Sequence, residues 1–576
     1  MTRKNTTMTA TAATMLLASL LGGCGGGSSD TAATTPTTTV ADTEDSALKF
    51  NASSYTTVNV TVDGVAMKVR QYRIVYVAKP VKMASTQLTL GGSTTTLSDP
   101  YAYQTIIVSV PEASVDDQKT ALLFAVNNSG WWTSAVSTTI TEGKAFVSTS
   151  NTDHIGAALK AGYVVVNVGT RSRGARAEDG RWVGKAPAPV VDAKAAIRYL
   201  RLNDSLMPGS AERIVMNGTS GGGGLTAAVA SSGNHADYLP FLEAIGAAGI
   251  TGSGTTLSST IKDDVFAAVA YCPINNLGNA DAGYEFEYSA VRSDSNTAAL
   301  GGVAYSAGLQ PAASTAIAAA FPTYLDGLGL KRTDGSLLTS ANIREETASL
   351  LKEEIARQIA QGTAVPQLGE NFVTSRATLA NNWLTLSGSG TSATIASLDY
   401  AKFVAYAATN QALKTVVAFD AIAVTGNKDA TTGVWRSSGE TNLFGNEYYA
   451  YQNFTDWSWT NNQVVSDGSG ADDTGLAWSA YLASSGTTLA TQLKLINPVA
   501  YLTGSGANPA PYWYVRHGMV DRDTAFSMQT LLYHAIRNNS AVKEVSFKYP
   551  YLVGHSGNYD VQEAFAWIKG RLAANP

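Results

Sequence analysis

The chain has 576 residues, 45% apolar and 15% charged, with a formal net charge of −5. That apolar share is ample for a packed core and excludes global disorder, while the slightly acidic balance offers no basic field to nucleic acid. Two cysteines exclude a disulfide framework and a multi-cysteine metal site, and at ~150 residues per domain the length allows two to four domains, or one large fold with an insertion.

The first feature in chain order is an address. Arg3 and Lys4 precede the apolar run 10–21 (ATAATMLLASLL). That run is too short for a spanning helix of ~20 residues and reads as a cleaved export signal over 1–23. Leu21-Gly22-Gly23-Cys24 resembles the bacterial lipobox, which implies that Cys24 becomes the first mature residue and carries acyl chains. The alternative is an ordinary secretory signal with an incidental cysteine. Gly25, rather than Asp, points by resemblance to sorting rules towards the outer membrane. Residues 24–47 are rich in Gly, Ser and Thr and read as a flexible tether.

From about residue 48 the texture changes. The runs 70–77 (RQYRIVYV), 104–110 (QTIIVSV) and 121–126 (ALLFAV) predict strands with an antiparallel start. Residues 163–168 (YVVVNV) form a continuous apolar run, as in a parallel strand covered on both faces. A helix over 190–201 follows Pro187 and Pro189. A strand at 213–217, a helix at 224–231 and a strand at 266–272 complete a strand–helix–strand rhythm, which predicts an α/β sheet with helices on both faces. Beyond Cys272 that order breaks. The segment holds long polar loops and some helical texture, such as Thr347, Leu351, Ile355 and Ile359 at i, i+4 spacing. Strands at 512–516 and 544–549 and helices at 524–537 and 561–573 restore the rhythm. The expected organisation is an α/β core over 48–274 and 496–576, interrupted by a lid or cap insertion over 275–495.

Gly218-Thr219-Ser220-Gly221-Gly222 matches G-x-S-x-G directly after a buried strand and before a helix, the context in which a serine stands exposed on a sharp turn. The Gly221 amide is then placed to donate to an oxyanion. A second donor is expected from Asn127-Asn128-Ser129-Gly130, where Gly130 permits close backbone approach and Trp131 and Trp132 are candidates for walling a pocket. Of five histidines, His555, in a loop between the last strand and the last helix, is the candidate general base. His517 ends a strand and is expected to pack or to position the acid loop. The acid is Asp521 or Asp523. They lie two residues apart, and spacing alone does not choose between them; whichever is not the acid faces substrate or caps the following helix.

Several segments together resemble the bacterial tannases, carboxylesterases of the α/β-hydrolase superfamily. They are 190–225 (VVDAKAAIRYLRLNDSLMPGSAERIVMNGTSGGGGL), 268–286 (AVAYCPINNLGNADAGYEF), 511–526 (PYWYVRHGMVDRDTAF) and 551–568 (YLVGHSGNYDVQEAFAWI). The resemblance implies an α/β-hydrolase fold with Ser220 as nucleophile, His555 as base and Asp521 as acid. It places the phenol-binding aspartate on Asp523, and its galloyl-contacting lysine and glutamate on Lys414, in 413–420 (LKTVVAFD), and Glu440, in 439–445 (GETNLFG). Between these two segments the chain carries extra residues (TGNKDATTGVWR), a departure from the family pattern. A galloyl ester is the implied substrate, with no metal or organic cofactor required. The rivals are a feruloyl or chlorogenate-type esterase, a serine peptidase of the same superfamily, and a surface binding lipoprotein that keeps a dead hydrolase fold. The acidic stretch 467–473 (DGSGADD) misses the spacing of an EF-hand loop.

Overall fold

The computed structural model describes residues 40–89, 93–293, 309–420, 439–461, 474–484 and 486–576. The export signal, Cys24, most of the tether, the extra residues between the Lys414 and Glu440 segments and the stretch 467–473 lie outside the described residues. Residues 40–576 form one compact unit. The end of the expected tether is ordered: Val40–Ala47 is a helix, α1, whose Glu44 pairs with Lys79 at 2.6 Å.

Ten strands build the central sheet among the described residues: β1 (Thr56–Val62), β2 (Val65–Val75), β3 (Thr105–Pro111), β4 (Leu122–Val126), β5 (Ala145–Phe146), β6 (Val164–Val168), β7 (Ile214–Thr219), β8 (Ala267–Tyr271), β9 (Tyr512–Arg516) and β10 (Glu544–Lys548). Their spatial order is β10-β9-β8-β7-β4-β6-β3-β2-β1-β5. The pairs β1–β2, β2–β3 and β3–β6 are antiparallel, whereas β6, β4, β7, β8, β9 and β10 run parallel. This is the expected antiparallel start leading into a parallel core.

The parallel strands are apolar because helices cover both faces. Val164, Val165 and Val166 in β6 are completely buried, each contributing roughly 1.5–3 kcal/mol by leaving water. On one face Leu123, Val165 and Val215 pack with α2 (His154–Lys160) and the last helix. On the other, Phe124, Val166 and Met216 join α3 (Ala188–Leu202) and α4 (Gly221–Ser231).

The segment between β8 and β9 adds no strand to this sheet among its described residues. It is not a separate globule. Leu351 and Ile355 of α6 (Ile343–Ala360), reached through α5 (Leu277–Tyr288), belong to the same apolar cluster as Leu531 and Ile536 of α7 (Phe526–Asn538). Thr347 Oγ1 and Thr530 Oγ1 meet at 2.7 Å across that contact. After β10, α8 (Val561–Ala573) closes the chain. No helix of the described residues is long and apolar enough to cross a membrane.

Candidate active site

The nucleophile candidate owes its position to a strained turn. Ser220 lies between β7 and α4 with φ 61° and ψ −123°, a conformation unfavourable to any side-chain-bearing residue. Backbone bonds hold it there. Ser220 N donates to Tyr271 O at 2.9 Å, and its carbonyl accepts from Gly224 N at 2.9 Å and Ile274 N at 3.1 Å. Two glycines are dictated by close approach. A Cβ on Gly221 would stand 2.1 Å from Trp131 N, and one on Gly224 would stand 1.9 Å from Ile274 O. The loop carrying Gly130 thus lies directly against the helix start that carries the Gly221 amide. Trp131 does not wall a pocket as expected. It is buried in the main core and its Nε1 donates to Ile274 O at 2.9 Å.

Three side chains distant in sequence converge at this turn. His555 Nε2 lies 2.8 Å from Ser220 Oγ, and His555 Nδ1 lies 2.8 Å from Asp521 Oδ2. An ionised carboxylate only accepts, so the proton sits on Nδ1 and Nε2 is left to accept from the serine hydroxyl. Asp521 is completely buried, and its Oδ1 accepts from Asp523 N at 2.9 Å. Asp523 Oδ2 comes only to 3.5 Å of His555 Nδ1. Geometry therefore favours Asp521 as the partner of the imidazole. Asp523 does not cap α7 either, whose N-cap is Ala525 with no side-chain bond.

Burial works against the charged forms here, and the pair overrides it. Burial alone would raise the Asp521 carboxyl, but the imidazoles of His517 and His555 hold it below the usual range. Burial alone would depress His555, but the charge of Asp521 and its hydrogen bond raise the ring above the usual histidine range. His517 is buried against the acid loop, with Nε2 3.1 Å from Asp521 O. His534 instead meets Glu346 at 3.1 Å, a packing role. Cys272 is free and buried, 4.0 Å from His555 Nε2, and its Sγ donates to Ser556 O at 3.3 Å. Burial pushes this thiol up, so it stays protonated. Cys272, Asp521 and His555 bring ligating atoms within 4.8 Å of one another, but both ring nitrogens already face Asp521 and Ser220.

The insertion supplies a second cluster. Glu440 is 4% exposed, with Oε1 3.4 Å from Arg173 Nη1. Its Oε2 is buried and has no hydrogen-bond partner among the described residues. Burial raises the Glu440 carboxyl, the charges of Arg173 and Lys414 oppose this, and Asp523 adds to it. Lys414 Nζ stands 4.3 Å from the Phe419 ring centre. Sequence reasoning did not find Arg173.

A strained serine between a central parallel strand and its following helix, met by groups from the loops after the last two strands, defines an α/β-hydrolase. The BD-FAE family model, an α/β-hydrolase esterase family, matches residues 109–308. No curated protein matches the chain. Solved structures do. A mercury derivative of a tannin acyl hydrolase is 30% identical, over 91% of this chain and 98% of that one, with a TM-score of 0.65. A tannin acyl hydrolase in complex with ethyl gallate is 29% identical over 91% and 98%, with a TM-score of 0.66. The tannase of Fusobacterium nucleatum is 27% identical over 91% and 99%, also at 0.66. The chain belongs to the tannase, or tannin acyl hydrolase, family and is a carboxylic ester hydrolase.

Proposed function

We propose that the chain hydrolyses esters of phenolic acids, galloyl esters foremost, through an acyl-enzyme on Ser220. Ser220 Oγ attacks the ester carbonyl carbon as its proton passes to His555 Nε2. Asp521 fixes the ring tautomer and offsets the imidazolium charge. The amides of Gly221 and the Gly130 loop receive the oxyanion, each worth on the order of 3 kcal/mol. Collapse breaks the bond to the leaving alcohol, which takes the proton from His555. Water then attacks the acyl-serine, giving a proton to Nε2. The second collapse releases the carboxylic acid and returns that proton to Ser220.

The observation that carries the galloyl reading is the unpartnered Oε2 of buried Glu440, whose carboxyl feels the charges of Lys414 and Asp523. Burial makes an unmet acceptor costly, and phenolic hydroxyls would meet it by charge-assisted hydrogen bonds. The ethyl gallate bound by a similar enzyme is such an ester. Methyl gallate should therefore exceed methyl benzoate in kcat/KM by on the order of 10³ or more, because a site built for hydroxyls rejects an analogue lacking them. Equal rates would remove the galloyl reading and spare the esterase. A ferulate-to-gallate ratio above one would favour the feruloyl-type alternative, and failure of a fluorophosphonate probe to label Ser220 would favour a dead binding lipoprotein.

The address at the amino terminus supports an exported lipoprotein anchored to membrane through Cys24, with the outer membrane as the favoured location. Cys24→Ala should move the protein from the membrane fraction to the soluble fraction of cells. Equal partitioning of the variant and the parent would sink the anchor.

A further inference from the structure

One buried arginine stands where the two halves of the site meet. Arg173 lies in the loop after β6, 2% exposed, with its guanidinium 4.4 Å from the Trp132 ring centre. Nη1 donates to Gly130 O at 2.9 Å and approaches Glu440 Oε1 at 3.4 Å, while Nη2 donates to Gly439 O. Gly130 belongs to the loop packed on Gly221, and Gly439 and Glu440 belong to the insertion. A single planar fork thus grips a carbonyl on the nucleophile side, and a carbonyl and a carboxylate on the acyl side.

The loop that carries this fork is itself pinned. Arg171 Nη2 reaches buried Asp192 at 2.7 Å, and Ser172 Oγ donates to Trp131 O at 2.5 Å. With Oε1 turned to Arg173, the other oxygen of Glu440 is left for a donor from outside the protein. Lysine cannot replace this arrangement, because one ammonium lacks the planar set of donors.

We infer that Arg173 is a positioning residue that couples oxyanion-loop geometry to recognition of the acyl ring, by fixing Gly130 and aiming Glu440 at the ring hydroxyls. This rests on the galloyl reading of Glu440. Its signature is a coupled loss that depends on the substrate.

The test is steady-state kinetics of the full chain, wild type, R173K, R173Q, E440Q and R173Q/E440Q, on methyl gallate and methyl benzoate. R173Q should lower kcat/KM for methyl gallate about 100-fold, most of it in KM, and for methyl benzoate about 10-fold or less, in kcat. R173K should recover only a minor part of either loss. The double variant should lose no more than about threefold beyond R173Q on methyl gallate, because contacting residues that act together are not additive. An unchanged gallate-to-benzoate ratio in R173Q, or multiplicative losses in the double variant, would overturn the inference. Lack of a gallate preference in the wild type would fail the galloyl reading instead, and the methyl benzoate kcat of R173Q would then decide the Gly130 half alone. If neither R173K nor R173Q gives folded protein by near-ultraviolet circular dichroism, the role is structural and the inference falls.

Discussion

Ser220→Ala should lower kcat on methyl gallate by on the order of 10⁶, His555→Ala should do the same, and the double variant should be no slower than either. The expectation follows from the contacts. His555 Nε2 faces Ser220 Oγ at 2.8 Å, so an imidazole without the hydroxyl has no proton to take. A hydroxyl without the imidazole is a poor nucleophile near neutral pH. What remains, about 10³-fold over water, would come from the oxyanion amides and from substrate binding. Neither side chain bears much of the fold, since Ser220 is held by its backbone bonds to Tyr271, Gly224 and Ile274. Near-ultraviolet circular dichroism of the variants should match the parent. The measurement is single-turnover hydrolysis, and losses that multiply in the double variant would show that the two groups act in separate steps.

Ser220 was legible because three local signals agree there: a buried strand, a glycine-rich turn and an alanine-rich helix. His555 was legible from its place between the last strand and the last helix. The choice between Asp521 and Asp523 was not, because residues two apart in a loop have no fixed faces. Only coordinates show Asp523 donating its amide to Asp521 while Asp521 meets the ring. β1 escaped notice for a different reason. Its sequence TTVNVTV does alternate, with Val58, Val60 and Val62 on one face, but only Val60 and Val62 are buried, and the apolar run is short. Arg173 lies in RSRGARAEDGR, which reads as solvated charge. Gly130 and Trp132 lie about 40 residues before it and Gly439 and Glu440 more than 260 after it, and no local pattern encodes such contacts. The insertion packs partly on the core, through Leu351 and Ile355, and partly on itself, as where Trp383 meets Phe372 and Phe403, and contacts so distant in sequence leave no local pattern.

Asp521→Asn is expected to keep the geometry and lose the chemistry, with kcat falling on the order of 10⁴. A carboxylate can only accept, which leaves the ring proton on Nδ1 and a free lone pair on Nε2. An amide can donate its NH₂ to Nδ1 instead. The proton then moves to Nε2, which can no longer accept from Ser220. A second consequence is a shift with a defined sign. Asp521 raises the proton affinity of His555 against the effect of burial. The base works only as the neutral ring, which prevails above its pKa. Removing the carboxylate charge lowers that pKa, so the acid limb of kcat/KM should move to lower pH while the plateau drops. Asp523, 3.5 Å from Nδ1, is unchanged in this variant and limits the size of the shift. His517 keeps its Nε2 contact to the backbone oxygen of residue 521, while its Nδ1, 3.5 Å from Asp521 Oδ2, loses the charge that faces it. A pH profile of Asp521→Asn with the parent plateau and an unmoved acid limb would transfer the role to Asp523. Asp523→Asn should then show the 10⁴-fold loss; if Asp521 is the acid, that change acts mainly on KM for methyl gallate, through the ring hydroxyls.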